Sequence, residues 1–352
     1  MQELKRNRVV DVFFPAERDV EHWAARHANG EVPGRWPYGL DEMAAGGFDV
    51  NLRSLQSPSR RESAISRLCL GRYLKHSSDE PEADTGLAWD ENTAIRMVVL
   101  ASRQSMFSGT IWATDKLTGA ASPQLKRVRS VLREMDGVFV NCRAQLDPLR
   151  KFLGHDGPAV EWITFGIDAS FWRPHPFPAQ PLMVSVGNDR DRDSATLFAA
   201  FAQVISARPD VKAIVQTTSD EKPPRGVTVV KHFTHRALAE VYSNASVVAV
   251  ATKPNLHGSG TTVSLEAMAS ARPVVLSAGP AMNDYIDDGV TGWLTPVGDP
   301  RALSERILSV LADPAEAEEM GLRARAAVED RMTSTHLASG LVDFMDSVPR
   351  RR

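Results

Sequence analysis

The sequence predicts an α/β protein made of two doubly wound, parallel-sheet domains, and three observations carry that prediction. Short apolar, β-branched runs alternate with longer segments whose apolar residues recur at helical spacing, as repeated strand and helix units do. The chain has 352 residues, more than one typical domain holds and suited to two. Pro174, Pro176, Pro178 and Pro181 interrupt the alternation near its middle and form a stiff linker. The first domain is therefore placed at residues 1–173 and the second at 174–330.

In the first domain, Val9 to Phe14 is a β-branched and aromatic run between charges and Pro15, and reads as a buried strand. A loop containing Gly30, Pro33, Gly34 and Pro37 follows, then a helix near Gly39 to Ala45 and a strand near Phe48 to Leu55. The loop after the first strand of a doubly wound sheet faces the ligand crevice. Arg35, Trp36 and Tyr38 thus either line a pocket or fill space beneath a long loop. Arg60 to Lys75 is a basic helix with Ile65, Leu68 and Cys69 on one face. Thr85 to Trp89 reads as a strand that delivers Asp90 and Glu91 to a helix beginning near Thr93. Two roles fit these carboxylates: proton chemistry at a substrate hydroxyl, or capping of the helix. Gly109 to Ala113 and Val138 to Cys142 are further strands, separated by a second basic helix, Pro123 to Met135, in which Lys126, Arg127, Arg129 and Arg133 surround apolar residues. A helix from Gln145 to Leu153 comes next.

The second domain opens with a strand, Leu182 to Val186, and the loop Gly187-Asn-Asp-Arg-Asp-Arg-Asp-Ser. Asp189, Asp191 and Asp193 have the alternation that can hold a divalent cation, but Arg190 and Arg192 are interleaved and offset the negative field a metal needs. Arginine forks match phosphate geometry, which favours an anion here and no metal. A helix from Ala195 to Ala207, strands at Lys212 to Thr217 and Val227 to Val230, and the phrase His232-Phe233-Thr234 follow, with Thr234 as N-cap of a helix carrying Leu238 and Tyr242.

Ala245 to Ala251 is an apolar strand that runs into a small-residue loop and then into a helix beginning at Thr261 and Thr262. Glycine lets backbone approach a ligand closely, and a helix N-terminus presents unpaired N–H groups with partial positive charge, so an anion belongs at Gly260, Thr261 and Thr262. Thr262 and Glu266 are four apart and share a helix face. A carboxylate so close to an anion needs neutral hydroxyls to bond, and a ribose offers two. The stretch reads as a nucleoside diphosphate site. Pro273 to Leu276 is a strand, Gly289 to Gly292 a turn, and helices are expected at Pro300 to Leu311, Pro314 to Asp330 and Thr335 to Met345. Arg350, Arg351 and Arg352 are expected to be unstructured.

Composition bounds the rest. Net charge is −3, with 43% hydrophobic and 24% charged residues, which gives no basis for nucleic-acid binding. Cys69 and Cys142 lack any partner motif and read as buried thiols of a reducing cytoplasm. An apolar run of about 18 residues is lacking, so a cytoplasmic protein without a membrane span is expected.

The phrases L-E-A-M-A-S-A-R-P-V-V and D-Y-I-D-D-G-V-T-G-W-L-T-P-V-G-D-P resemble the donor domain of the family-four retaining glycosyltransferases, the glycosyl transferases group 1 enzymes. Trp162-Ile-Thr-Phe-Gly-Ile-Asp with Phe171-Trp-Arg-Pro resembles their interdomain phrase. The resemblance implies the GT-B fold, two Rossmann-like doubly wound domains facing a central cleft, with a last helix near 331–346 returning to the first. It implies a metal-independent, retaining transfer of a sugar from a nucleotide diphosphate donor, UDP among the candidates, to a hydroxyl acceptor, with no separate cofactor. Carried onto this sequence, Arg192, with Arg190, grips the departing diphosphate, Glu266 holds the ribose, and His232 and Phe233 contact the nucleobase. Arg35, Trp36, Tyr38, Asp90 and Glu91 fall on the acceptor side. In the family a first Glu, near the hydroxyls of the transferred sugar, precedes the second; here that position is Gly258, with His257 beside it. This departure points to a donor that lacks or replaces a hydroxyl there, or to reading by His257. Family members also dock on anionic membranes through basic helices such as 60–75 and 123–135, for which a plain solvated face is the other reading. An epimerase of the same fold, or a binder without catalysis, remains an alternative function.

Overall fold

A computed structural model describes residues 8–15, 18, 20–55, 83–100, 105–117 and 122–351. The basic helix expected at Arg60 to Lys75, with Cys69, lies outside the described residues. The chain divides into two compact units, residues 1–25, 35–164 and 335–352 in the first and 26–34 and 165–334 in the second.

The first unit is built on β1 (Arg8–Pro15), β2 (Phe48–Leu55), β3 (Thr85–Ala88), β4 (Ser105–Gly109), β5 (Gly137–Val140) and β6 (Ala159–Trp162). They form one parallel sheet in the order β2-β1-β3-β4-β5-β6. β3 and β5 are buried throughout, as strands covered by helices on both faces must be. Of the helices, α1 (Val20–Ala28) straddles the division between units, while α2 (Glu91–Leu100), α3 (Pro123–Leu132) and α4 (Leu146–Leu153) lie in the first. Leu125, Val128, Val131 and Leu132 of α3 are all buried, so this helix spends its apolar face on the core and shows only its charges to solvent.

Three local expectations are corrected. The helix near Gly39 to Ala45 is 3-10, spans Pro37–Gly46, and is interrupted where Tyr38 and Gly39 take φ of 63° and 67°. The strand expected at Gly109 to Ala113 sits earlier, as β4, because Glu91 takes the N–H groups of Ile111 and Trp112 that a ladder would need. Arg351, expected to be unstructured, is tied down: its N–H donates to Asp136 at 2.6 Å and its guanidinium to the carbonyls of Arg133, Met135 and Asp156.

The second unit carries β7 (Leu182–Ser185), β8 (Lys212–Gln216), β9 (Val227–Val230), β10 (Val247–Val250), β11 (Val274–Ser277) and β12 (Trp293–Thr295). All are parallel, in the order β12-β11-β10-β7-β8-β9. The short β12 was not anticipated; it follows the expected turn at Gly289. The helices are α5 (Ser194–Ala207), α6 (His235–Ser243), α7 (Thr261–Ala269), α8 (Pro300–Ala312) and α9 (Pro314–Arg331), with α10 (Ser334–Ser347) leading back to the first unit. Asp193, Thr234, Asp299 and Asp313 each accept an N–H of the first turn, and proline occupies the start of α8 and α9. Phe198, Phe201 and Val204 of α5 are buried beneath the sheet with Leu303 and Ile307 of α8, each contributing roughly 1.5–3 kcal/mol by burial.

Residues 165–173 join the second unit rather than ending the first, and the reason is hydrogen bonding. The Phe165 N–H donates to the Tyr285 hydroxyl, Ile167 bridges Thr333, and Arg325 donates to the carbonyls of Ala169 and Trp172. The boundary therefore precedes the proline run.

Candidate active site

In the second sheet the strand order reverses at β7, which has β8 on one side and β10 on the other. Connections leave such a pair in opposite directions, and their carboxyl ends frame the ligand crevice of a doubly wound sheet. The two loops at this point are 187–193 after β7 and 251–260 after β10. Asp193 N–H donates to the Ala251 carbonyl at 3.0 Å, Lys253 N–H donates to the Asp191 carbonyl at 2.8 Å, and Arg192 bridges Thr252. This stitching aims the Arg192 side chain at the start of α7. Gly187 and Gly260 flank the guanidinium: a Cβ on them would lie 2.4 Å from Nη2 and 3.2 Å from Nη1. Their φ values of 108° and 102° add a second reason for glycine.

Arg192 Nε and Nη1 are buried, and among the described residues neither has a hydrogen-bond acceptor. Burial lowers the proton affinity of this guanidinium, against Asp189, Tyr242 and Glu266, which raise it; arginine stays charged even so. Leaving donors of a buried cation without acceptors is costly, and a bound anion would offset that cost. At the start of α7 the Thr261 amide and hydroxyl both turn back onto the Gly258 carbonyl, at 3.0 and 2.8 Å. Thr261 is therefore withdrawn from the set of donors expected from the sequence. Among the described residues, the N–H groups of Gly260 and Thr262 have no acceptor.

One turn on, Glu266 is buried and its Oε2 accepts from the Tyr242 hydroxyl at 3.0 Å. Burial pushes this carboxyl up to about 8, offset in part by the Tyr242 hydrogen bond and the Arg192 charge. At neutral pH Glu266 is thus held largely as the neutral acid, which leaves Asp189 as the ionised carboxylate that favours the Arg192 charge.

Residues 180–313 match the family profile described as glycosyl transferases group 1. That stretch includes every element of the crevice just described. The chain is 26% identical to the alpha-maltose-1-phosphate synthase of Mycolicibacterium smegmatis over 67% of this chain and 70% of that one. It is 27% identical to the glycogen synthase of Mycobacterium tuberculosis over 64% of this chain, spanning 58% of that longer relative. Among solved structures, the sucrose-phosphate synthase of Thermosynechococcus elongatus superposes with a TM-score of 0.69 at 19% identity, covering 97% of this chain and 98% of that one. Anabaena HepE, solved in complex with UDP and glucose, superposes with a TM-score of 0.67 at 14% identity, covering 97% of this chain and 100% of that one. These likenesses establish the GT-B fold class that the sequence implied.

Within the matched stretch, His257 is 4% exposed in its side chain, with Nε2 3.3 Å from Asp189 and Nδ1 3.7 Å from Asp191. Burial works against the charge of Asp189, but the His257 imidazole and neighbouring donors outweigh it and hold this carboxyl far below the usual range. The alternating aspartates are thus turned toward a histidine. Gly258 has φ of 73°. Arg190 is half-exposed and its Nε pairs with Asp191 at 3.2 Å. His232 is exposed and Phe233 half-buried in the loop between β9 and α6, where Asn188 of the β7 loop donates to the Lys231 carbonyl at 3.4 Å. Tyr242 was legible only as part of a helical apolar stripe with Leu238; the phenol at the end of that stripe is the signal that marks it as a partner for Glu266.

The remaining candidates belong to the first unit. Asp90 caps α2 by accepting the N–H groups of Asn92 and Thr93 at 2.8 and 2.9 Å. Glu91 is buried, which raises its affinity for a proton, and it holds the Ile111 and Trp112 amides at 2.8 and 2.9 Å. Both carboxylates serve backbone groups. Tyr38 stacks on Trp89 with centroids 4.0 Å apart and receives a hydrogen bond from Arg18, Trp36 is half-buried, and Arg35 is exposed.

Proposed function

We propose that this chain is a retaining, metal-independent glycosyltransferase that moves a sugar from a nucleotide diphosphate to a hydroxyl acceptor. The observation that carries the reading is the buried Arg192 guanidinium, two of whose nitrogens have no acceptor among the described residues, beside the amides of Gly260 and Thr262, which have none among them either. When the bond between the anomeric carbon and the phosphate oxygen breaks, negative charge collects on the diphosphate. Fixed donors aimed at that charge stabilise the transition state more than the ground state. Arg192, the start of α7 and, from the crevice rim, Arg190 are those donors, while Glu266 accepts from ribose hydroxyls. Departure and attack on one face retain the anomeric configuration, with the leaving phosphate oxygen taking the acceptor proton. The buried Arg192 guanidinium beside the start of α7 supports charge neutralisation by arginine rather than by a metal. His232 and Phe233 are assigned to the base, and His257 and Gly258 to the sugar end of the donor. Because HepE was solved with UDP, UDP sugars are the first donors to test. Arg192→Ala and Glu266→Ala are each expected to abolish donor turnover in a screen of nucleotide sugars and hydroxyl acceptors; near-native turnover in both variants overturns the assignment. Isomerised donor in place of transfer product would mark an epimerase instead.

A further inference from the structure

We propose that Tyr242 is a positioning residue for nucleotide recognition: its hydroxyl holds Glu266 Oε2 and so fixes Oε1 as the acceptor for the ligand's ribose hydroxyls. The inference rests on the reading of Glu266 as the ribose residue. Three observations point to it. The phenol and the carboxyl are both buried and 3.0 Å apart, so the bond forms away from competing water. The ring is fully buried and wedged, its edge against Trp172 at 5.6 Å and 72°. The backbone beneath it is also held: Arg272, itself buried, donates through Nε to the Tyr242 carbonyl at 3.0 Å and through Nη2 to Ser243, His175 and Pro176. A tyrosine braced on ring and backbone alike presents its hydroxyl at one place. Glu266 lies on the helix whose start binds the anion, so fixing its carboxyl fixes the distance between the diphosphate and the sugar that follows it.

Positioning acts on binding rather than on bond breaking, which gives it a distinct signature. The test titrates the wild type, Tyr242→Phe, Glu266→Gln and Glu266→Asp with whichever of UDP, GDP and ADP binds best, and with its 2′-deoxy counterpart, by calorimetry from pH 6 to pH 9. Wild type is expected to prefer the ribonucleotide. Tyr242→Phe should lose most of that preference, by roughly tenfold or more, while its affinity for the deoxynucleotide, which keeps only the 3′-hydroxyl, falls much less; measurable binding of that ligand also certifies its fold. The phenol lowers the proton affinity of Glu266, so the pH midpoint of the ribonucleotide preference should move upward in Tyr242→Phe. Glu266→Asp keeps the carboxyl group but is one carbon too short to reach both partners, and should lose the preference as Glu266→Gln does. If Glu266→Gln retains the preference, the ribose reading of Glu266 itself fails. If Glu266→Gln loses it while Tyr242→Phe or Glu266→Asp keeps it in full with an unmoved pH midpoint, the role of Tyr242 is overturned.

Discussion

Replacing Glu266 by Gln should change how the stability of the protein depends on pH, and the expected size follows from the site. The folded chain holds the Glu266 proton with a pKa of about 8, against an ordinary carboxyl value of 4.5, because burial penalises the anion more than Tyr242 and Arg192 favour it. The folded state therefore binds this proton more tightly than the unfolded chain does. Its stabilising contribution is complete below about pH 4.5 and is withdrawn as the pH rises through about 8. Between pH 5 and pH 9 the loss amounts to about 4 kcal/mol, a ceiling, since water entry on ionisation softens the penalty. Glutamine cannot ionise and escapes the loss. Urea unfolding followed by far-ultraviolet circular dichroism at pH 5, 7 and 9 measures the effect. The glutamine variant should gain on the wild type by several kcal/mol across that range, most of it above pH 6. A constant difference, or a gain by the wild type as pH rises, refutes the argument, because it would mean that Glu266 is held as an anion in the empty site.

The other predictions concern the same crevice and its counterpart in the first unit. Arg192→Met should raise the stability of the ligand-free protein, by about 1–3 kcal/mol, since it removes a buried charge whose Nε and Nη1 have no acceptor; thermal unfolding without nucleotide checks this. Gly260→Ala should cost at least about 1 kcal/mol and weaken nucleotide binding, because its φ is 102° and the new Cβ would lie 3.1 Å from Val250 and 3.2 Å from Arg192; denaturant titration and calorimetry read the two effects. Asp90→Ala should lower stability by about 1 kcal/mol through loss of the α2 cap, with nucleotide affinity unchanged in a binding titration.

Local signals and tertiary placement account for what could and could not be read in the sequence. The helix start at Thr261, the strand at Val227 to Val230 and the capped helices at Pro300 and Pro314 were legible because glycine, proline and N-cap residues act on neighbouring backbone. Arg192 stood out because arginine matches phosphate and because the resemblance places a phosphate-gripping residue in the loop ahead of a recognisable helix. The burial of Glu266 was not legible: its covering phenol comes from α6, 24 residues away. The bracing role of Arg272 was not legible, although it lies in the quoted phrase, because an arginine after a helix normally meets solvent and only the fold brings four carbonyls around it. The place of His257 beside Gly258 was legible, but not that its two nitrogens face Asp189 and Asp191 of a loop far away in sequence. β4 was misplaced because Glu91, not the local pattern, decides where that strand ends.

In the proposed function, Arg192 and the start of α7 together bind the diphosphate of a nucleotide. Calorimetric titration of UDP, GDP, ADP and TDP into the wild type and Arg192→Met tests it most directly. At least one diphosphate should bind the wild type, and the same one should bind Arg192→Met about a hundredfold or more weakly, as loss of a charged, buried phosphate contact requires. Equal affinity in the two proteins, or no binding of any of the four to the wild type, would contradict it.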